Sequence, residues 1–182
     1  MIDLGWGTPR IVFLRLAIIL HLDNVIGAGD ASVSFSSVVL LGQLRVEIGK
    51  DALGKATPVK LIVDILGFWD ADQKRYGFLA RLRDSKIGGV DIIGSLAVYG
   101  EYGDHSRFML AAGGFNPHFT DVPDAIRSMD DRLGAAFNIS AFKVTLTGYF
   151  AITPGTIQFG VNMAAKAKLG PVELEGELGG DA

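Results

Sequence analysis

The chain has 182 residues, with 17 Lys plus Arg against 20 Asp plus Glu, 24 glycines and no cysteine, and 49% of it is hydrophobic. That apolar fraction supports one β-rich domain over residues 1–182 and excludes a disordered chain. A net charge of -3 with interspersed signs leaves no basic stripe for nucleic acid, and the missing cysteine excludes disulfides, thiolate zinc sites, iron–sulfur clusters and a cysteine nucleophile.

The most apolar stretch, Ile11 to Leu22, carries Arg15 and His21 inside it. It is too short to span a bilayer as a helix, which takes about 20 apolar residues. Met1 to Leu4 lacks a basic leader, and no small-residue cleavage site follows. As written, the chain is expected to have no transmembrane segment and to be cytoplasmic, with export by another route left open.

Apolar residues recur with period two almost throughout, the pattern of strands with one apolar and one polar face. The segment Arg10 to Leu22 is the exception, apolar on both faces except at Arg10, Arg15 and His21, which predicts cover on both sides. Ile26 to Ser37, with Gly27, Gly29 and a serine-rich run, reads as a loop or an edge strand. Leu40, Gly42, Leu44, Val46 and Ile48 then alternate with Gln43, Arg45 and Glu47. Val59, Leu61, Val63, Ile65 and Gly67 share a face, with Lys60 and Asp64 opposite. Tyr76, Phe78, Ala80 and Leu82 oppose Arg75, Arg81 and Arg83. Ile92, Gly94, Leu96, Val98, Gly100 and Tyr102 form the next row, and Phe108, Leu110, Ala112 and Gly114 a shorter one.

Between Phe115 and Leu133 the rhythm breaks. This insertion, about 115–133, holds the one predicted helix, near 121–132, with Thr120 or Asp121 as N-cap and Pro123 in its first turn. Period two returns with Val144 to Ile152 and Ile157 to Leu169, and the chain closes with Val172, Leu174 and Leu178 against Glu173, Glu175 and Glu177. The links are short and rich in turn residues, as at Asp70 to Lys74, Tyr102 to Ser106, Thr153 to Thr156 and Gly170-Pro171, so sequence neighbours should pair as an antiparallel meander.

Roughly nine such strands cannot remain flat in water, because the apolar face would be exposed. The predicted fold is all-β: a strongly curved antiparallel meander, an open groove or barrel-like, with one short α-helix. Glycines at 42, 67, 94, 100, 114 and 148 fall where a curved sheet would bend. The bare strand at the end of the sequence suggests a segment of a longer protein, with its glutamates guarding an open edge.

Chemistry is sparse. His21, His105 and His118 have no metal-ligand spacing, and the acidic pairs Asp70/Asp72 and Asp130/Asp131 read as turn and cap residues. Asp70-Ala71-Asp72 lacks the rest of a calcium loop. Gly27-Ala28-Gly29 and Gly113-Gly114 do not sit in a βαβ unit, and no nucleophile elbow occurs. No catalytic residue, metal ligand or cofactor is nominated, and the chain is read as non-enzymatic. Arg75, Arg81 and Arg83 read as a solvated face.

Several blocks carry a resemblance: Ile2 to Pro9, Leu40-Leu41-Gly42-Gln43-Leu44, Gly113-Gly114-Phe115-Asn116-Pro117-His118-Phe119, Gly148 to Thr153, and Thr156-Ile157-Gln158-Phe159-Gly160. The chain resembles a bacterial family of large β-rich proteins classed only as a domain of unknown function. In that family a G-G-F-x-P-x-F block precedes a Y-F-A-I-T hairpin that closes on T-x-Q-F-G. The departures, Val161 after Gly160 and Pro154-Gly155 in the turn, lie in or beside a turn. The resemblance implies a longer native chain and no catalytic residues.

Two functions compete. The first is a binding scaffold whose apolar face shelters an apolar small molecule such as a lipid chain, with Leu96, Val98, Leu110, Phe150, Phe159, Val161 and Met163 as groove candidates and small residues such as Ala165 and Ala167 leaving room. The second is a structural assembly module, homo-oligomeric through the C-terminal edge strand, with Val172, Leu174 and Leu178 as pairing candidates.

Overall fold

The computed structural model describes residues 1–7, 11–26, 31–49 and 59–182. Thr8-Pro9, Arg10 and Gly27-Ala28-Gly29 lie outside them. Among the described residues the chain is all-β. The strands are β1 (Ile2–Trp6), β2 (Val12–Ile26), β3 (Ala31–Ile48), β4 (Val59–Asp70), β5 (Arg75–Leu82), β6 (Ser85–Ile87), β7 (Val90–Ile93), β8 (Ser95–Glu101), β9 (Arg107–Ala112), β10 (Leu133–Ile139), β11 (Phe142–Ile152), β12 (Ile157–Leu169) and β13 (Val172–Asp181). All thirteen belong to one antiparallel sheet.

The hydrogen bonding branches between β4 and β11. One route passes through β5, β8 and β9, the other through β6, β7 and β10, so the ladder contains a ring without forming a clean barrel. Interrupted strands explain the ring. β5 and β6 are one line bent at Asp84, where φ is 45°, and β7 and β8 are one line broken at Gly94. β9 and β10 are also one line. Leu96 faces Ala112 while Ile93 faces Gly134, so three residues on one side match twenty-two on the other and nineteen are looped out. On the other flank Phe150 faces Ala112 and Gly148 faces Leu133; two residues match twenty-one, which gives nineteen again. Merging these three pairs leaves ten long strands in meander order, close to the number that periodicity predicts. Within the described residues β1 pairs only with β2 and β13 only with β12, so the sheet has two edges.

The turns are built as their residues dictate. Gly88 and Gly89, both at positive φ (58° and 84°), make the two-residue link that sets Ile87 opposite Val90. This hairpin has no counterpart in the predicted rows. Asp70 accepts a hydrogen bond at Oδ1 from the Gln73 amide at 2.9 Å, and the Gly170-Pro171 link sets Leu169 opposite Val172. Of the serine-rich run, Ala31 to Phe35 pairs with β2 alone and is therefore an edge in that stretch.

Two expectations are corrected. The helix does not form: residues 124–128 are successive turns, with amides bonding three residues back, Ile126 to Pro123 at 3.0 Å and Met129 to Ile126 at 3.0 Å. Too few residues separate Pro123 from Asp130 for an α-helix to recover its nucleation cost. β2 is not covered on both sides, since Ile18, Ile19 and Leu20 are all exposed. Two strand glycines make room for a neighbour: the Tyr76 ring lies over Gly100, where a Cβ would stand against it, and Gly42 makes the same room for Leu16. Such aromatic-over-glycine pairs fill the gap a missing side chain leaves.

The core lies on the face that the alternation marks as polar. Its members are Leu79, Ala97, Tyr99, Met109, Ala111 and Ala151 from the sheet with Phe115 and Ile126 from the insertion. Phe119, Val122, Ala125 and Met129 of the insertion pack around them. The insertion thus folds back over the centre of the charged face and leaves the apolar face bare.

Candidate apolar binding face

Register decides which side chains share a face, because residues opposite each other in an antiparallel pair point the same way. Val98 lies opposite Leu110, Leu96 opposite Ala112, and Ala112 opposite Phe150. Phe150 is opposite Phe159, Gly148 opposite Val161, and Leu146 opposite Met163. All seven groove candidates therefore form one strip across β8, β9, β11 and β12. Leu96, Phe150, Phe159, Val161 and Met163 are exposed, with Phe159 at 56% and Val161 at 62%, and Val98 and Leu110 are half-buried. The same face continues through β5, β4, β3, β2 and β1 as Phe78, Ile65, Leu40, Ile18 and Leu4. From β1 to β13 the strand positions on it carry no charged side chain among the described residues.

The opposite face carries the charge. Asp3 pairs with Arg15 at 2.9 Å, Asp64 with Arg83 at 2.6 Å, Lys86 with Asp91 at 2.8 Å, and Lys166 with Glu175. A cavity of about 470 Å³ opens there beside Arg15, Gln43, Arg45 and Glu47, and a second of about 280 Å³ beside Arg132, Tyr149, Asn162 and Asp181. Both are small recesses; none of the groove candidates lines the first, and Val161 alone of the seven lines the second. The apolar strip is an extended surface without convergent polar groups, so it offers burial and no acid–base chemistry.

Other polar side chains hold the insertion down. Arg132 donates from Nη1 to the carbonyls of Gly113 and Phe115, both at 2.8 Å, with its guanidinium carbon 4.0 Å from the Tyr149 ring centre. Ser95 donates from its hydroxyl to the Asp131 carbonyl at 3.0 Å, and Gln158 accepts from the Asn116 amide at 3.0 Å. Arg81 pairs with Asp131 and donates to the Ser128 carbonyl. One of the arginines read as a solvated face is therefore a clamp with an acidic partner in the same chain. At the strand ends Tyr99 and Arg107 both donate to Oε1 of Glu101, at 2.5 and 2.8 Å. The Arg107 guanidinium, with help from the Tyr99 hydroxyl, holds the Glu101 carboxyl below its ordinary range. Burial pushes the Tyr99 phenol up, and its bond to Glu101 pushes the same way.

The edge candidates Val172, Leu174 and Leu178 all lie on β13, exposed at 51%, 56% and 70%. Their faces alternate with Glu173, Glu175 and Glu177, which lie beside Lys168, Lys166 and Ala164 of β12. Of the acidic pairs, Asp70 caps its turn and bonds Arg75 at 3.4 Å, while Asp131 serves Arg81. His105 and His118 are exposed and stand in different loops.

The model of a family of unknown function, DUF6603, matches residues 1–182. Neither curated proteins nor solved structures gave a match. With that match spanning the sequence from Met1 to Ala182, the chain belongs to this family of unknown function.

Proposed function

We propose that the protein is a non-enzymatic β-scaffold that shelters an apolar ligand of the lipid-chain class on its uncharged face. One observation carries this reading: a multi-strand apolar face without a charged side chain lies open to solvent while the chain's own insertion packs on the other side. The five exposed strip residues lie between 36% and 62% exposure. At about 200 Å² per large side chain they present on the order of 400–500 Å², already the largest patch of a typical monomer. Covering it would contribute roughly 10 kcal/mol before entropic costs. A patch of this size that continues across further strands supports a surface that another molecule covers.

Native mass spectrometry of the purified chain, paired with lipid extraction, tests the proposal. The expected result is a monomer carrying lipid-sized mass, lost in Phe159→Asp and Val161→Asp variants that retain their circular dichroism. A lipid-free chain in every preparation overturns it. A second reading, an assembly module, is favoured by the bare β13 edge with its exposed Val172, Leu174 and Leu178. It predicts a lipid-free oligomer that Leu178→Pro disperses.

A further inference from the structure

The apolar face is not uniform along its strands: a tryptophan, Trp6, lies level with Leu61 toward one end, and aromatic side chains line up at the other. On β4, β5, β8 and β9 one level of the ladder reads Trp69, Tyr76, Gly100 and Phe108, each opposite the next. The Tyr76 ring leans across Gly100 into the gap. Past this row come only the polar turns Asp70 to Lys74 and Tyr102 to Ser106. Behind it the face turns aliphatic: on β4 the residues back from Trp69 are Gly67, Ile65, Val63, Leu61 and Val59.

These features define a band with a boundary. Ten residue steps separate Val59 from Trp69. At about 3.3 Å per residue that is ~33 Å of strand, or ~25 Å of height for strands tilted as in membrane sheets, against a hydrocarbon layer of about 30 Å. Trp and Tyr, apolar in body and polar at the tip, are the side chains that sit at the level of lipid headgroups. Among the described residues the charged side chains of the strands all lie on the other face, the one that carries the insertion. The net charge of -3 supplies no polybasic attraction, so contact would rest on apolar burial and not on anionic lipid.

The geometry points to a bilayer as the partner: the uncharged face meets the hydrocarbon of a phospholipid membrane, with Trp69 and Tyr76 at headgroup level. This rests on the lipid-sheltering reading and adds the source and orientation of the lipid. The β1 and β13 edges would then have to be satisfied by pairing, since open strand edges are disfavoured in hydrocarbon.

The test uses the whole chain with Trp6→Phe, which leaves Trp69 as the sole tryptophan, mixed with phosphatidylcholine vesicles. Vesicle flotation is read together with Trp69 emission in lipids brominated near the headgroup or near the chain end. The expected result is co-flotation insensitive to salt, a blue shift, and stronger quenching by the headgroup-proximal bromines. Val161→Asp combined with Phe159→Asp should lower the floating fraction about tenfold or more, because charge within the apolar band is strongly disfavoured. Unchanged flotation of that variant overturns the inference, as does equal quenching at both depths. A chain that stays unfloated yet holds lipid-sized mass in native spectra overturns the bilayer and leaves the sheltering reading standing. A chain that neither floats nor holds lipid overturns both.

Discussion

Replacing Arg132 by alanine should detach the insertion from the sheet. The guanidinium makes two 2.8 Å hydrogen bonds to carbonyls of buried residues, Gly113 and Phe115, and covers the Tyr149 ring at 4.0 Å. A hydrogen bond from a charged donor contributes about 1.5–3 kcal/mol, and a partly desolvated cation–π contact about 1 kcal/mol more. Arg132 is half-buried, so water recovers part of what is lost, and the expected cost is about 3 kcal/mol. With an m-value near 2 kcal/mol/M in urea, the midpoint should fall by about 1.5 M. Urea titration followed by circular dichroism measures this, and limited proteolysis within 114–131 reports whether the insertion has come loose. Lysine keeps the charge but not the planar fork, so Arg132→Lys should fall between wild type and alanine. A midpoint shift below about 0.3 M for the alanine variant would refute the clamp, the slope being near 2 kcal/mol/M.

Three further outcomes are expected. Leu79 and Phe78 are neighbours on β5, one 1% and the other 39% exposed; Leu79→Ala should cost about 2–4 kcal/mol and Phe78→Ala under half of that, and the reverse order in urea titration would place the core on the wrong face. A Cβ on Gly113, at φ 78°, would stand 2.4 Å from the Gly148 carbonyl oxygen and 2.7 Å from the Leu133 nitrogen. Both are backbone atoms, so Gly113→Ala should cost about 3 kcal/mol or more, whereas Gly88→Ala in open space should cost only the ~1–2 kcal/mol of its left-handed backbone. Glu101, whose folded pKa is lowered, contributes stability that is present above its unfolded value near 4.5 and is lost as pH falls through the folded value. Stability measured from pH 6 to 3 should therefore fall less steeply in Glu101→Gln, and parallel curves would remove the claim.

The strand pattern carried most of the sheet. Period two located the long rows correctly because successive side chains of a strand point to opposite faces, and among the described strand residues the charged ones keep to one face from Asp3 to Glu177. What alternation alone could not give was the side of the core. Alternation identifies two faces and says nothing about which one a distant segment will cover. A signal was present in the polar rows: Ala97, Tyr99, Met109, Ala111, Tyr149 and Ala151 form an apolar island where neighbours on the same rows are Arg81, Glu101 and Arg107. Such an island, together with Phe115, Phe119 and Ile126 in a stretch without period two, marks a plug and its seat. Pro123 and an acidic flank imitate a helix start, while the residues after them are too few to form one. The strip of groove candidates was legible as a row, and its exposure was not, since exposure depends on what else in the chain lies over it.

The in-line meeting of β9 and β10 means that nineteen of the twenty residues between them are not part of the sheet's counting. Ala112 and Leu133 stand two places apart against β11, opposite Phe150 and Gly148, whether the intervening chain is long or short. The sheet therefore works like a fabric with a buttonhole: material passes through the opening without shifting the weave around it. Grafting a different segment at that opening would change what covers the charged face while leaving every strand register, and the whole apolar side, as it stands.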